Sequence, residues 1–298
     1  MMAALPSLAF AGIGLMGLPM CQRLLAAGYP LTVWNRNPEK CAPLVAAGAR
    51  RVTTPAQLCE HADVVMVCLA NTEVVREVVF AADGVASGAK GGQLLVDFSS
   101  LEPTATREMA AQLVHQCGMG WLDAPVSGGV AGAEAGSLAI MVGGELADLE
   151  RVRGALLSVG QRVTHMGPVG AGQVTKACNQ MIVACNALVI AEVVALAERS
   201  GVDARLLAEA LGGGFADSRP LQILAPQMAE SRFEPVKWHV RTLLKDLDSA
   251  VKFSREQGSA TPISGLAAQL MRLHGGQGFL EKDPATLIHL YREPGSKG

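Results

Sequence analysis

Three groups of residues in this 298-residue chain have the types and spacing that chemistry needs. The first is Gly12-Ile13-Gly14-Leu15-Met16-Gly17, which begins within the apolar run LAFAGI (8–13) and opens an apolar periodic stretch. In such a G-x-G-x-x-G turn the first glycine makes a tight bend and the second lets the backbone approach a pyrophosphate. The third lets helix and strand pack closely. The N–H groups at the start of the following helix then face the phosphates. The second group is Lys176 with Asn179, one helical turn apart on a side shared with Gln173 and Gln180 and flanked by Val174, Ala177, Met181, Ile182 and Val183. An amine at the edge of a buried helix is disfavoured as a cation by desolvation, which suits proton transfer near neutral pH. The plainer alternative is a lysine that snorkels to water. A cation near a helix N-terminus is opposed by about 0.3–1 kcal/mol, so the position and its amide neighbours favour function. The third group is Ser127-Gly128-Gly129, where a hydroxyl and successive backbone N–H groups suit an anion such as a carboxylate.

Other residues belong with these by position. About twenty residues after the glycine turn, at the end of a second strand, a dinucleotide site that reads the ribose 2′-OH carries an acid. Here the sequence is Asn35-Arg36-Asn37. A guanidinium binds a 2′-phosphate where a carboxylate repels it, which favours NADP(H) and leaves NAD(H) open. Ligands of open α/β sheets bind beyond the carboxyl ends of the strands. That rule selects Leu69, Ala70 and Asn71 after ADVVMVCL, and Ser99 and Ser100 after LLVDF, with helix capping as the competing role. Lys245 and Asp246 form a charged pair inside an apolar helical pattern, placed to reach a ligand or to make a salt bridge. The six histidines fall in no triad and no metal spacing, so no metal is expected.

The elements that must position these residues can be read in outline. Runs at 8–13, 31–34, 62–69 and 93–98 read as strands, with further strands at 120–123 and 138–142. Helix-compatible stretches lie between them, at 54–60 and 72–79 among others. This alternation predicts a parallel sheet covered on both faces. Beyond Gly167 the strand signals stop and helices are predicted at 172–199, 203–211, 221–230, 240–257 and 263–274. The chain therefore reads as an α/β Rossmann-like dinucleotide-binding domain over 1–168 followed by an all-α domain over 169–298. Two domains also fit the length.

Composition narrows the class. Half the residues are hydrophobic and 17% are charged, which excludes a disordered chain. Lys and Arg number 25 against 27 Asp and Glu, for a net charge of -2. Without a basic excess, neither nucleic acid nor a membrane surface is an expected partner. The seven cysteines form no CxxC pair and read as reduced, mostly buried thiols. The apolar N-terminus lacks a basic flank, and the run 181–197 is accompanied by Lys176, Asn179, Asn186 and Glu192. It reads as a core helix, and a cytoplasmic location is expected.

Taken in order, FAGIGLMGLPM, NRNPEK, DFSS, DAPVSGG, GAGQVTKACNQ and LKDL span nearly the whole chain. This set resembles the β-hydroxyacid dehydrogenases, a family that includes 3-hydroxyisobutyrate dehydrogenase and tartronate semialdehyde reductase. The resemblance implies a reversible hydride transfer between a nicotinamide cofactor and a short hydroxy or aldehyde acid. It implies Lys176 as general acid/base, Asn179 as a substrate-orienting amide, and Ser127, Gly128 and Gly129 as the carboxylate loop. Ser100 and Lys245 stand at cofactor-contacting positions of the family. A homodimer or homotetramer built through the helical domain is implied as well. Lys-x-x-Asn-Gln and Arg36 look more like the tartronate semialdehyde (2-hydroxy-3-oxopropionate) reductases than the NAD-dependent 3-hydroxyisobutyrate enzymes. The stretch 235–243, with Trp238, departs from that subgroup's glycine-aromatic pattern.

Three rivals are weighed against this reading. Related imine reductases generally lack a lysine at the place of Lys176. A 6-phosphogluconate-type enzyme would need a histidine beside that lysine, which Lys176-Ala177-Cys178-Asn179 lacks. A non-catalytic NADPH-binding scaffold has no use for the lysine–amide face.

Overall fold

A computed structural model describes residues 5–292; the outermost residues of the two predicted domains, 1–4 and 293–298, lie outside the described range. The chain divides into two compact units between Lys176 and Ala177. Nine strands occur among the described residues, and all lie in the first unit. They are β1 (Leu8–Ala11), β2 (Leu31–Trp34), β3 (Arg50–Arg51), β4 (Val64–Val67), β5 (Leu94–Asp97), β6 (Gly120–Asp123), β7 (Val126–Ser127), β8 (Leu138–Gly143) and β9 (Gly160–Gly167). Seven helices accompany them in sequence: α1 (Gly17–Ala26), α2 (Ala42–Ala46), α3 (Thr72–Phe80), α4 (Val85–Gly88), α5 (Pro103–Cys117), α6 (Gly129–Ala135) and α7 (Leu146–Val159).

The sheet order is β3-β2-β1-β4-β5-β6-β8-β7, with β9 beside β8. From β3 to β6 every pairing is parallel; β8 is antiparallel to both β6 and β7. Because β1 sits between β2 and β4, the chain reverses its direction of travel across the sheet there. That reversal opens a crevice above the strand ends, where this class of sheet binds its ligand. Side-chain alternation explains why the sheet is buried on both faces. Leu8 and Phe10 of β1, Val64 and Met66 of β4, and Leu94 and Val96 of β5 point into one core with Met20, Cys21 and Leu24 of α1. Ala9, Ala11, Val65, Val67 and Leu95 point into the other, against Val75, Val79, Met109 and Leu113.

The strands β3, β7 and β9 were not among the sequence expectations. β3 and β7 are two residues each, too short to show alternation. In β9 the polar residues Gln161, Arg162, Thr164 and His165 sit on a largely exposed edge strand that pairs only with β8. The expected helix at 54–60 is a short 3₁₀ turn, Ala56–Glu60. Free thiols are found at all seven cysteines, but only Cys21, Cys41 and Cys59 are buried, and Cys178 is exposed.

The long helix α8 (Ala171–Arg199) carries the chain from the first unit into the second. The second unit continues with α9 (Leu207–Leu211), α10 (Arg219–Ala229), α11 (Val240–Glu256) and α12 (Pro262–His274). Its core gathers Ala184, Ala187, Leu188, Ala191 and Val194 of α8 with Leu224, Met228, Leu243, Leu247 and Met271. The apolar face of α8 is thus spent on a protein core, although its length and composition alone would suit a membrane span. A second stripe on the same helix, Ile182, Val189, Val193 and Leu196, stays exposed.

Candidate functional site

The glycine turn has the geometry its residues anticipate. Gly12 has φ +101°, a backbone conformation that disfavours any side chain, and a Cβ there would strike the carbonyl oxygen of Cys68. A Cβ on Gly17 would strike the carbonyl oxygen of Gly12 and press on the Phe10 ring, so only glycine lets α1 start this close to β1. Gly14 differs: nothing lies within 4 Å of where its Cβ would be, and the residue is exposed. The turn is therefore packed on its inner side and open on its outer side. The first turn of α1 carries neither a side-chain cap nor an acid, so no protein carboxylate competes with an anion for the positive end of its dipole. Leu15 is 82% exposed, and Met16 is half-buried against the core.

The end of β2 is tied to this turn. Asn35 Oδ1 accepts a hydrogen bond from Ile13 N at 2.9 Å, and Asn35 Nδ2 donates to Asn37 O at 2.8 Å. Asn37 accepts from Glu39 N at 3.0 Å and caps the turn that follows. Arg36, between them, is exposed and takes no part in these bonds. The sequence placed Asn35 here without its role: its side chain locks the glycine turn to β2, a contact 22 residues apart that no spacing rule announces.

After β4, Asn71 caps α3 by accepting from Val74 N at 2.9 Å, so its side chain takes the capping role the sequence left open. Ala70 is exposed, and Leu69 N donates to Ser99 Oγ at 2.9 Å. Ser99 N in turn donates to Asp97 Oδ1 at 2.8 Å. Ser99 is buried and joins the two loops, whereas Ser100 beside it is half-buried.

Asp97 and Asp123 lie opposite one another in register at the ends of β5 and β6. Burial pushes the Asp97 carboxyl up to about 7, against the hydrogen bonds from Ser99 and with a further push from Asp123. Its Oδ2 finds no partner among the described residues. Burial pushes Asp123 up to about 6, opposed by the backbone N–H groups that it holds. Those are Gly170 N, to Oδ1 at 2.7 Å, and Gln173 N, to Oδ2 at 2.8 Å. Asp123 thereby caps the start of α8. Gly172 is forced by the same contact, because a Cβ there would meet Asp123 and the Met141 carbonyl. Gln173, 1% exposed, completes the junction: Nε2 donates to Ser99 O at 2.8 Å, and Oε1 accepts from Leu101 N at 3.0 Å. Neither Asp123 nor Gln173 was assigned these contacts from sequence.

Lys176 is half-buried, one turn beyond Gln173, about 4.5 Å further along the axis at 1.5 Å per residue. In the same unit, Ser127 ends β7, paired with Ala139 of β8. Gly128 (φ +138°) and Gly129 (φ +63°) follow it, both exposed, in backbone conformations that favour glycine.

The second unit holds Asn179 and Lys245. Asn179 Nδ2 donates to Gln180 Oε1 at 2.8 Å, and Gln180 Nε2 donates to Asp246 Oδ2 at 2.6 Å. Lys245, exposed on α11, meets Asp246 Oδ1 at 3.2 Å. Asp246 is thus the joint of a chain running from Lys245 to Asn179. No group of three or more His, Cys, Asp or Glu able to hold a metal occurs among the described residues.

Residues 7–167 match the NAD-binding domain of 6-phosphogluconate dehydrogenase, and residues 170–291 match the NAD-binding family of NADP-dependent 3-hydroxyisobutyrate dehydrogenase. The chain is 35% identical to the 2-hydroxy-3-oxopropionate reductase of Escherichia coli over 94% of its own length and 95% of that protein. It is 36% identical to the 3-hydroxyisobutyrate dehydrogenase of Pseudomonas aeruginosa, covering 90% of this chain and 91% of the other. The solved structure of a Mycobacterium tuberculosis 3-hydroxyisobutyrate dehydrogenase with L-serine superposes with a TM-score of 0.88 at 31% identity, covering 97% of this chain and 100% of that one. An NAD(P)-binding first domain, a helical second domain and full-length similarity to such enzymes lead to one conclusion: the chain belongs to the β-hydroxyacid dehydrogenases, oxidoreductases that act on the hydroxyl group of hydroxy acids.

Proposed function

We propose that this enzyme is an NADP(H)-preferring reductase of a short aldehyde acid, most like a 2-hydroxy-3-oxopropionate reductase. The observation that carries the reading is the seating of α8. Its first turn is bonded to the ends of β5 and β6, which puts Lys176 one turn from the strand ends where this fold holds the reactive half of its cofactor. The open Gly14 position and the uncapped start of α1 fit a pyrophosphate. Ile13, Leu15, Met16, Leu69, Ala70, Asn71 and Ser100 line the approach in this proposal. Arg36, free of the bonds that occupy Asn35 and Asn37, suits a 2′-phosphate.

The bound nicotinamide would supply the hydride for the carbonyl carbon. The protein's residues do the rest. The Ser127 hydroxyl and the Gly128 and Gly129 N–H groups bind the carboxylate. Lys176 gives a proton to the oxygen that gains charge, and general acid catalysis of this kind contributes about 10²–10⁴-fold. One Asn179 N–H is engaged by Gln180, which leaves the other to hold the same oxygen. Lys245 adds a cation that Asp246 orients.

The exposed stripe Ile182, Val189, Val193 and Leu196 suits a second copy of the chain, so the enzyme is proposed to be a homodimer or a tetramer of such dimers. A domain boundary near Val169 and a cytoplasmic setting complete the reading.

The test is oxidation of NADPH and of NADH with tartronate, succinic and methylmalonate semialdehydes and glyoxylate, repeated with Lys176→Ala. Turnover with an aldehyde acid that is lost in the variant supports the reading. NADPH binding without turnover of any of them overturns it.

A further inference from the structure

The junction beneath Lys176 contains a residue whose bonds all serve to fix the start of α8. A glutamine in a first helical turn ordinarily points to water. Gln173 is buried, and its amide spans from the helix to the loop after β5, donating to Ser99 O and accepting from Leu101 N. Its own N–H, one of the donors that a helix start leaves unpaired, goes to Asp123 at the end of β6. Ser99 and Leu101 are themselves buried, so both backbone groups depend on this amide for a partner away from water. Ser99 also holds Leu69 N through its hydroxyl and is held by Asp97 through its N–H, and neither bond involves Gln173.

We propose that Gln173 is a positioning residue for Lys176: its buried amide, bonded to Ser99 O and Leu101 N, sets the register of the first turn of α8 against the ends of β5 and β6. Lys176 lies three residues on, so any slide or rotation of that turn is passed directly to its amine. A misplacement of about 1 Å at a reacting group can cost about 10²-fold in rate. This inference rests on the catalytic role proposed above for Lys176.

The test is a double-mutant cycle with Gln173→Met and Lys176→Ala, followed by melting temperature, NADPH dissociation constant and kcat for the best aldehyde acid of the panel. Methionine keeps the length and the burial and removes both amide bonds. Gln173→Leu, which also removes both amide bonds, serves if Gln173→Met does not fold. We expect kcat to fall about 10- to 100-fold with Gln173→Met, with NADPH affinity changed less than threefold. In the Lys176→Ala background the same substitution should cost almost nothing, because there is no amine left to misplace. A purely structural role would cost the same factor in both backgrounds, and that result overturns the inference. So does wild-type kcat in the folded Gln173 variant while Lys176→Ala is impaired. Full activity in Lys176→Ala overturns the catalytic reading itself, and this inference with it.

Discussion

Replacing Arg36 by serine isolates the cofactor preference from everything else in the site. Asn35 and Asn37 on either side are committed to the glycine turn and to a cap, so their substitution would disturb the loop itself. Arg36 is exposed and takes no part in those bonds, so its loss should change stability by no more than about 0.5 kcal/mol. A hydrogen bond to a charged group contributes about 1.5–3 kcal/mol, and exposure to solvent cuts that to about 1–2 kcal/mol here. At about 1.4 kcal/mol per factor of ten, kcat/KM for NADPH should fall about 5- to 30-fold. NADH has no 2′-phosphate, so its kcat/KM should stay within twofold. The NADPH value should also lose part of its salt dependence, since the guanidinium is the charge being screened. The assay is initial rate against either cofactor at two ionic strengths. Equal losses for NADPH and NADH, or no loss for either, would refute the assignment of the phosphate to Arg36.

Two further perturbations test other parts of the molecule. His274 in the second unit is fully buried, stacked on Phe279 at 4.3 Å, with Nε2 2.9 Å from Thr286 Oγ1. Thr286 Oγ1 spends its own proton on Asp283 O, so Nε2 carries the imidazole hydrogen and the unpartnered Nδ1 is bare. Burial, with a smaller push from His289, lowers its pKa from 6.5 to about 4. The unfolded chain therefore binds a proton that the folded chain refuses between these values. The contribution of His274 to stability is complete above pH 6.5 and declines as pH falls towards 4, by about 3 kcal/mol. His274→Phe should melt with a shallower acid limb over that interval, and an unchanged limb would be contrary to this origin. On α8, Leu196→Glu with Ile182→Glu should shift the sedimentation of the enzyme to a smaller species without unfolding it, since both side chains are exposed in the single chain; an unchanged sedimentation coefficient would refute the proposed contact between copies.

What the sequence made legible follows from the range of the contacts involved. The glycine turn could be read because its requirements are local: a positive φ at Gly12 and a close approach at Gly17. The sheet could be read because β1, β4 and β5 are continuous apolar runs, the pattern left by burial on two faces. Lys176 and Asn179 stood out because helical spacing is itself local. The bonds that seat α8 were invisible for the opposite reason. Asp123 meets Gly170 and Gln173 across 47 and 50 residues, and Gln173 meets Ser99 across 74. They join a side chain to backbone groups, which any residue type supplies, so they leave no mark in composition or spacing. The link from Gln180 to Asp246 joins two side chains and escaped because 66 residues separate them.

The central claim concerns the amine of Lys176 as the group that exchanges a proton with the reacting oxygen. Run in the direction of hydroxy-acid oxidation, that amine must be neutral to accept the hydroxyl proton. The measurement is kcat/KM for oxidation of the hydroxy acid with NADP⁺ from acidic to alkaline pH, for the native enzyme and for Lys176→Ala. We expect a rate that climbs with pH through neutrality in the native enzyme, and in the variant a rate about 10²–10⁴-fold lower with that climb abolished. A native profile that is flat, or a climb that survives unchanged in Lys176→Ala, would contradict it.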